Sequence, residues 1–426
     1  MTDSIENFRP YVAELTQQSR LGFRAIRQTD SAVRNQILTT LAGLLEKPDI
    51  QSKIIEANAI DLKQADDDNM PVAMKDRLRL DVSRITGVAN SVREIAAFAD
   101  PLGEVVHGLT LSNGIEMIQK RVPLGVVFTV YESRPNVTID VGALCIKSGN
   151  AAILRGGKEA FHSNVALYRV FEQAIASCGL PASIVQLVEK TDRLCMQALL
   201  ERHDQIDLVV PRGGEGLIRY VTENTRIPIV KHDKGVSNLY VDESADITKS
   251  IQVALNAKLH RPSVCNSIEN LMIHVGFAHT KELLSALHQK GVRLLGCQRS
   301  HSLLPDAVTA IADADQEYGT EYLDERLSVK IVDSLEDAVE FIYKYGSGHS
   351  EAIMTESIEA AKKFERMVDS AAVFINCSTR FHDGGQMGMG AEVGISTGRL
   401  HVRGPMGARD LTTTTYIMTG NGQVRS

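Results

Sequence analysis

Residues 125 to 136 read Gly125-Val126-Val127-Phe128-Thr129-Val130-Tyr131-Glu132-Ser133-Arg134-Pro135-Asn136. The apolar, β-branched run predicts a strand over 125 to 130, and a polar turn then leads into a helix over 137 to 147. The rhythm continues: strand 151 to 155, helix 161 to 177, strand 184 to 187, helix 196 to 202, strand 208 to 211, helix 214 to 223 and a strand at Ile229. Such alternation specifies right-handed βαβ units on a parallel sheet. The expected fold class is therefore α/β, with a doubly wound domain built around this stretch.

On the amino-terminal side, about residues 5 to 100 carry apolar positions at helical spacing, among them Val12, Leu15, Leu38, Leu41, Leu45 and Ile54. A chain that opens in helices does not match a dinucleotide fold that starts with a strand running into G-x-G-x-x-G. Between these regions Ser112-Asn113-Gly114 separates two strand-like runs, 105 to 111 and 115 to 122, which predicts a protruding hairpin. On the carboxyl side a second α/β stretch covers about 255 to 400, with strands expected at 271 to 275, 329 to 331, 352 to 354 and 372 to 376. The run Thr412-Thr413-Thr414-Thr415-Tyr416-Ile417-Met418 predicts a last strand.

A chain of 426 residues implies two or three domains, and 43% hydrophobic with 23% charged residues is ordinary for a soluble fold. The net charge of −7 provides no basic footprint for nucleic acid. Apolar runs such as 122 to 130 fall far short of the roughly 20 residues that span a bilayer. The first residues have neither a cationic nor an apolar signal region, so the expected location is cytoplasmic. Six cysteines, at 145, 178, 195, 265, 297 and 377, come no closer than 17 residues in sequence, which argues against a disulfide framework and a zinc cluster. No metal is expected, and Asp66-Asp67-Asp68 reads as a solvated turn because it lacks calcium-loop spacing.

Chemistry concentrates in a few short strings. His260-Arg261-Pro262-Ser263-Val264-Cys265-Asn266-Ser267 sets a thiol among basic and polar residues between a helix and a strand, where positive charge and backbone N–H groups favour a thiolate. Arg155-Gly156-Gly157-Lys158-Glu159 and Pro211-Arg212-Gly213-Gly214-Glu215-Gly216 each follow a strand and precede a helix. Either serves equally as an ordinary βα loop or as a phosphate cradle. Residues 388 to 394, from Gly388 to Gly394, are one position too long for the dinucleotide fingerprint. In the string from Tyr131 to Asn136, Asn136 is a helix cap and Arg134 a surface charge on the simplest reading. Coexistence with Cys265 gives the string a catalytic reading too.

These segments, together with 147 to 154, 376 to 381, 404 to 407 and 422 to 425, closely resemble the gamma-glutamyl phosphate reductases, the glutamate-5-semialdehyde dehydrogenases of proline biosynthesis. The resemblance runs in order through essentially the whole chain and extends more widely to the aldehyde dehydrogenases. It implies an aldehyde-dehydrogenase-like fold, with a cofactor-binding domain over 1–102 and 126–254, a catalytic domain over 255–400 and an oligomerisation flap from 103–125 and 405–426. It also implies NADPH-dependent reduction of L-glutamyl 5-phosphate to L-glutamate 5-semialdehyde with release of phosphate, the second step of proline biosynthesis from glutamate. The alternative is another thioester-forming aldehyde dehydrogenase, hydrolytic or CoA-acylating. A homo-oligomer is expected, its subunits pairing across the exposed edges of the hairpin and tail strands, with glutamate 5-kinase as a partner.

Residue by residue, the resemblance makes Cys265 the nucleophile and Asn136 the side-chain half of an oxyanion hole, with the Cys265 backbone N–H as the other half. It sets the adenosine ribose of NADP(H) beside Arg155, Gly156, Gly157 and Lys158, with Lys158 and Arg155 offering positive charge to a 2′-phosphate. The pyrophosphate falls near Gly213 and Gly214, and Glu321 matches the nicotinamide-ribose position. Glu132, Ser133, Arg134, Arg261, Arg380 and His382 are candidates for the substrate's charged groups, since arginine suits carboxylate and phosphate alike. His349 reads as a loop hydrogen-bonding residue. Where hydrolytic relatives carry a water-activating glutamate, 34 residues before the cysteine, this chain has Lys231-His232-Asp233-Lys234-Gly235, which leaves the thioester without that base.

Overall fold

The computed structural model describes residues 4–231, 234–389 and 391–425, so His232, Asp233 and Gly390 of the strings above lie outside the described residues. Two compact units emerge, one comprising Met1–Lys231, Gly388–Gly394 and Met406–Ser426, the other His232–Met387 and Ile395–Pro405.

The first unit opens with helices α1 (Arg9–Arg27), α2 (Ser31–Leu45), α3 (Pro48–Asp67), α4 (Val72–Leu78) and α5 (Val82–Ala97). Their starts follow from local chemistry: Pro10 and Pro48 enter at the first turns of α1 and α3, while Asp30 and Asp81 accept backbone N–H bonds as caps of α2 and α5. Strands β1 (Val105–Thr110) and β2 (Glu116–Pro123) form the expected antiparallel hairpin, turning at Gly114 with φ +81°. The α/β alternation then runs β3 (Val126–Tyr131), α6 (Asn136–Lys147), β4 (Ala151–Gly156), α7 (Phe161–Ser177), β5 (Val185–Leu187), α8 (Arg193–Leu200), β6 (Leu208–Arg212) and α9 (Glu215–Glu223). The four strands are parallel in the order β5-β4-β3-β6, which is the doubly wound arrangement. Ile229 makes only a single bridge to Val209 rather than a strand, since Pro228 has no N–H to extend the ladder.

The second unit contains β7 (Ser237–Val241), α10 (Ile247–Leu259), β8 (Ile268–His274), α11 (Thr280–Gln289), β9 (Arg293–Gly296), α12 (Gln298–Leu303), β10 (Val308–Ala310), α13 (Ala314–Tyr318), β11 (Arg326–Val332), α14 (Leu335–Tyr345), β12 (Ser350–Met354), α15 (Ile358–Met367) and β13 (Ala372–Ile375). Its seven strands are parallel in the order β10-β9-β11-β8-β7-β12-β13. A short antiparallel pair, β14 (Ile395–Ser396) and β15 (Gly404–Pro405), belongs to the same unit. The expected division at 254/255 becomes one at 231/232 because β7 hydrogen-bonds β8 and β12 and so belongs to this sheet. Because the strands are parallel, the segments that precede β7, β8, β11, β12 and β13 gather at one edge of the sheet. Cys265 lies on one of them.

The tail strand β16 (Thr412–Thr419) returns to the first unit, pairing antiparallel with β2 from Thr412↔Pro123 to Thr419↔Glu116. The hairpin and tail thus form one sheet within the chain, β1-β2-β16.

Candidate active site

In the first unit, the two glycine loops leave the carboxyl ends of β4 and β6, the strands on either side of β3. A Cβ on Gly156 would stand 2.0 Å from Asn164 Nδ2, one on Gly157 2.1 Å from Glu159 Oε1, and one on Gly213 2.4 Å from Glu132 Oε2. Side-chain atoms of Asn164, Glu159 and Glu132 already fill those points, so a larger residue there would have to displace them. Gly214 caps α9 and donates its N–H to Glu132 Oε2 at 2.9 Å. Glu132 thus sets an internal carboxylate where a helix N-terminus favours an anion. Ser133, buried and held at φ +45°, donates its N–H and hydroxyl to Glu159 Oε1 at 2.6 and 3.0 Å, which ties the start of α6 to the Lys158 loop. Lys158 is exposed and Arg134 half-buried.

Arg155 departs from its expected role. Its side chain is buried and donates to the carbonyl oxygens of Thr191 and Asp192, at 2.7 and 3.3 Å, so the guanidinium is spent on the interior. Burial holds it below the ordinary guanidinium value. Any cation for a ribose phosphate in this loop is Lys158.

Asn136 is the first residue of α6, with Pro135 in the cap position, so its amide is not consumed as a helix cap. It donates instead through Nδ2 to Asp140 Oδ2 at 2.9 Å, one turn along. Burial raises Asp140 to about 6, opposed by the hydrogen bond from Asn136, the charge of Arg212 and a hydrogen bond with Ser91.

In the second unit, Cys265 is half-buried on the turn between α10 and β8. A Cβ on Gly235 would lie 2.5 Å from both Cα and Cβ of Cys265, so only glycine lets that strand-like segment pass. Ser237 Oγ donates to the Cys265 carbonyl at 3.0 Å. The next residue, Asn266, is fixed from every side. Its Nδ2 donates to the His382 carbonyl at 3.0 Å, its carbonyl accepts from Thr379 Oγ1 at 2.6 Å, and its Oδ1 accepts from Arg380. Arg380 also donates to His260 Nδ1 at 3.3 Å. Burial lowers Arg380; Asp383 and Cys265 oppose that effect and Arg261 adds to it. Cys265 is therefore within electrostatic reach of a guanidinium that sits beside a second one. Arg261 itself is exposed.

His382 also departs from expectation. It is fully buried, its Nδ1 bonded to Ser350 Oγ at 2.7 Å, and burial pushes it down to about 4. A neutral imidazole enclosed behind Asn266 supports the cysteine turn and does not reach out to a substrate. Its ring packs 4.8 Å from that of His349, whose Nδ1 shares the Ser350 hydroxyl at 2.8 Å. Glu321 is half-buried ahead of β11, close enough to Glu269 to push that carboxyl up.

Known proteins correspond closely to this chain. The aldehyde dehydrogenase family model matches residues 9–294. A gamma-glutamyl phosphate reductase of Leptospira interrogans is 53% identical over 97% of this chain and 99% of its own, and one of Leptospira biflexa is 48% identical over 97% and 98%. The crystal structure of a gamma-glutamyl phosphate reductase from Thermotoga maritima superimposes with a TM-score of 0.93 at 37% identity, covering 97% of this chain and 100% of that one. The chain belongs to the gamma-glutamyl phosphate reductases.

Membership in the gamma-glutamyl phosphate reductases makes this an oxidoreductase of the aldehyde dehydrogenase fold, and the family implies a nicotinamide cofactor. Among the site residues expected from sequence, the structure joins Glu132 to Gly213 and Gly214, and brings Arg380 within electrostatic reach of both Cys265 and Arg261. Arg155 and His382 are turned to the interior. Sequence reasoning missed Asp140, Glu159, Gly235 and Asn266 as supports. The i,i+4 spacing of Asn136 and Asp140 was a visible signal; Glu159 and Gly235 meet their partners only through the fold. Among the described residues no helix is long and apolar enough to cross a membrane, and no group of three or more His, Cys, Asp or Glu is placed to hold a metal ion.

Proposed function

We propose that this protein reduces L-glutamyl 5-phosphate to L-glutamate 5-semialdehyde through a thioester on Cys265, with NADPH as reductant. The observation that carries the reading is the cysteine turn: a thiol on a loop clamped by Gly235 and Asn266, with the Arg380 guanidinium within electrostatic reach of it. Such a setting favours the thiolate over the thiol.

The Cys265 thiolate attacks the γ-acyl carbon, the bond from that carbon to the phosphate oxygen breaks, and phosphate leaves. Bound NADPH supplies the hydride that reduces the resulting thioester carbonyl. The thiohemiacetal oxyanion then collapses, expelling the Cys265 thiolate and releasing the aldehyde. In this reading Asn136 donates to the oxyanion, a contribution of about 3 to 4 kcal/mol for one such donor. Arg261 and Arg380 favour both the thiolate and the departing phosphate.

The two glycine loops at the carboxyl ends of β4 and β6 and the N-terminus of α9 suit a dinucleotide. In this reading Lys158 receives the 2′-phosphate, the Gly213-Gly214 loop the pyrophosphate once Glu132 yields the Gly214 N–H, and Glu321 the nicotinamide ribose. Glu132, Ser133 and Arg134 are assigned to the substrate end of the same strand exit. The reading further makes the protein a cytoplasmic homo-oligomer with a cofactor-binding domain, a catalytic domain and a flap, working alongside glutamate 5-kinase.

The reverse reaction tests this directly: NADPH absorbance is followed from glutamate semialdehyde and NADP, with and without inorganic phosphate. Strict dependence on phosphate is expected, and Cys265→Ala should abolish turnover while NADPH binding persists. Turnover without phosphate would show that water or another acceptor takes the thioester, and normal turnover in Cys265→Ala would overturn the mechanism.

A further inference from the structure

We propose that Asp140 is a positioning residue for Asn136, a carboxylate one helical turn away that fixes which end of the amide is a donor and where it points. The inference rests on the reading of Asn136 as the oxyanion donor.

An asparagine amide has two nearly isosteric ends, and only the nitrogen end can donate to an oxyanion. An ionised carboxylate accepts and cannot donate, so Asp140 Oδ2 at 2.9 Å from Asn136 Nδ2 selects one orientation. The flipped amide would set Oδ1 against a negative charge. With one amide hydrogen on Asp140, the direction of the second is determined by the plane of the group.

Three observations set this pair apart from a helix-surface contact. Asn136 is freed for it because Pro135 takes the cap position. Asp140 is held by groups from three elements, Asn136 on its own helix, Ser91 on α5 and Arg212 at the end of β6. The third is location: α6 is otherwise a buried helix, with Val137, Ile139, Val141 and Leu144 in the core. Asn136 and Asp140 are the half-buried positions of that helix, and desolvation there opposes ionisation of the Asp140 carboxyl, a cost that an apolar residue would not carry. Arg212 also offsets the repulsion that a nearby carboxylate would exert on a developing oxyanion. A residue that costs stability and orders a donor has the balance expected of a functional support.

The test is a double-mutant cycle on the full-length enzyme, with kcat and KM measured in the phosphate-dependent direction for Asn136→Ala, Asp140→Ala and both together, and with thermal midpoints alongside. Asp140→Ala is expected to lower kcat by about ten- to a hundredfold with KM for NADP unchanged, as small misplacements at a reacting centre do. Its thermal midpoint should stay level or rise. The double variant should be no slower than Asn136→Ala alone, since Asp140 acts only through that amide. Asp140→Asn, isosteric but without the orienting charge, should fall between wild type and Asp140→Ala and covers the case in which the alanine variant fails to fold. Wild-type kcat in Asp140→Ala beside an impaired Asn136→Ala would overturn the proposal, as would multiplicative losses in the double variant. Unimpaired Asn136→Ala would overturn the oxyanion reading instead, so the two failures are separable.

Discussion

The imidazole of His382 is enclosed, with Nδ1 on the Ser350 hydroxyl, while the residue's main-chain oxygen holds the Asn266 amide next to Cys265. Burial outweighs the nearby Asp383 carboxylate and pushes the ring down to about 4 from an ordinary value near 6.5. The sign follows from proton counting. Between about pH 6.5 and 4 the unfolded chain binds a proton at this residue that the native state refuses, so stability rises with pH across that window and is lost on acidification. One such group makes the protein about 2 kcal/mol less stable at pH 5 than at pH 7. Replacing His382 by Asn retains a polar partner for Ser350 and removes the titration. Denaturant midpoints at the two pH values should therefore fall less steeply for the variant than for wild type. Parallel pH dependences would show that His382 is not the group refusing the proton.

The turn that carries Cys265 is stapled at its base by a buried ion pair. Lys258 in the last turn of α10 and Glu269 in β8 are both fully enclosed with Nζ and Oε2 2.5 Å apart. Lys258 also donates to the Ile268 carbonyl at 2.9 Å, and Glu269 accepts the Leu323 N–H at 3.2 Å, which links the turn to the segment bearing Glu321. Burial pushes Glu269 up to about 7 and Lys258 down, so neither charge is comfortable without the other. Removing one partner strands the other, at a cost of about 3 to 5 kcal/mol, whereas replacing both by apolar residues is nearly neutral. Urea midpoints should show large losses for Lys258→Met and Glu269→Leu singly and a much smaller one for the pair; additive losses would contradict this account. The same region shows what was legible in the sequence. Helices such as α7, and strands β3, β4 and β6 with unbroken apolar runs, could be read directly because one local pattern determines them. Strand β7 could not. It begins Ser237-Asn238, polar residues that sit in the sheet only because Asn238 bonds Glu351 on β12 and Asn270 on β8. Cys265, Asn136 and the glycine loops are visible as short strings, while the inward turns of Arg155 and His382 depend on Thr191 and Ser350, partners that only folding supplies.

At the scale of the whole molecule, the sheet β1-β2-β16 leaves apolar surface in water. Val105, Val106 and Leu109 on β1, Ile118 on β2, and Tyr416, Ile417 and Met418 on β16 are all exposed, and β1 is exposed along its full length. Tail and hairpin satisfy one another through β2, so the proposed homo-oligomer would have to pair at the outer edges of β1 and β16 or at the faces of the sheet. An open edge flanked by isoleucine, valine and tyrosine invites another strand and carries an aggregation risk in a lone subunit, and covering it in a defined assembly removes both problems. Light scattering should accordingly give a mass at least twice the 46.6 kDa of the chain. Val106→Lys combined with Ile417→Lys puts a charge on each outer strand without touching the α/β sheets. This variant should shift the mass toward one chain with an unchanged far-ultraviolet circular dichroism spectrum. A wild-type mass of one chain would remove the flap's assigned role, and an assembly unaffected by the two lysines would move the interface to another surface.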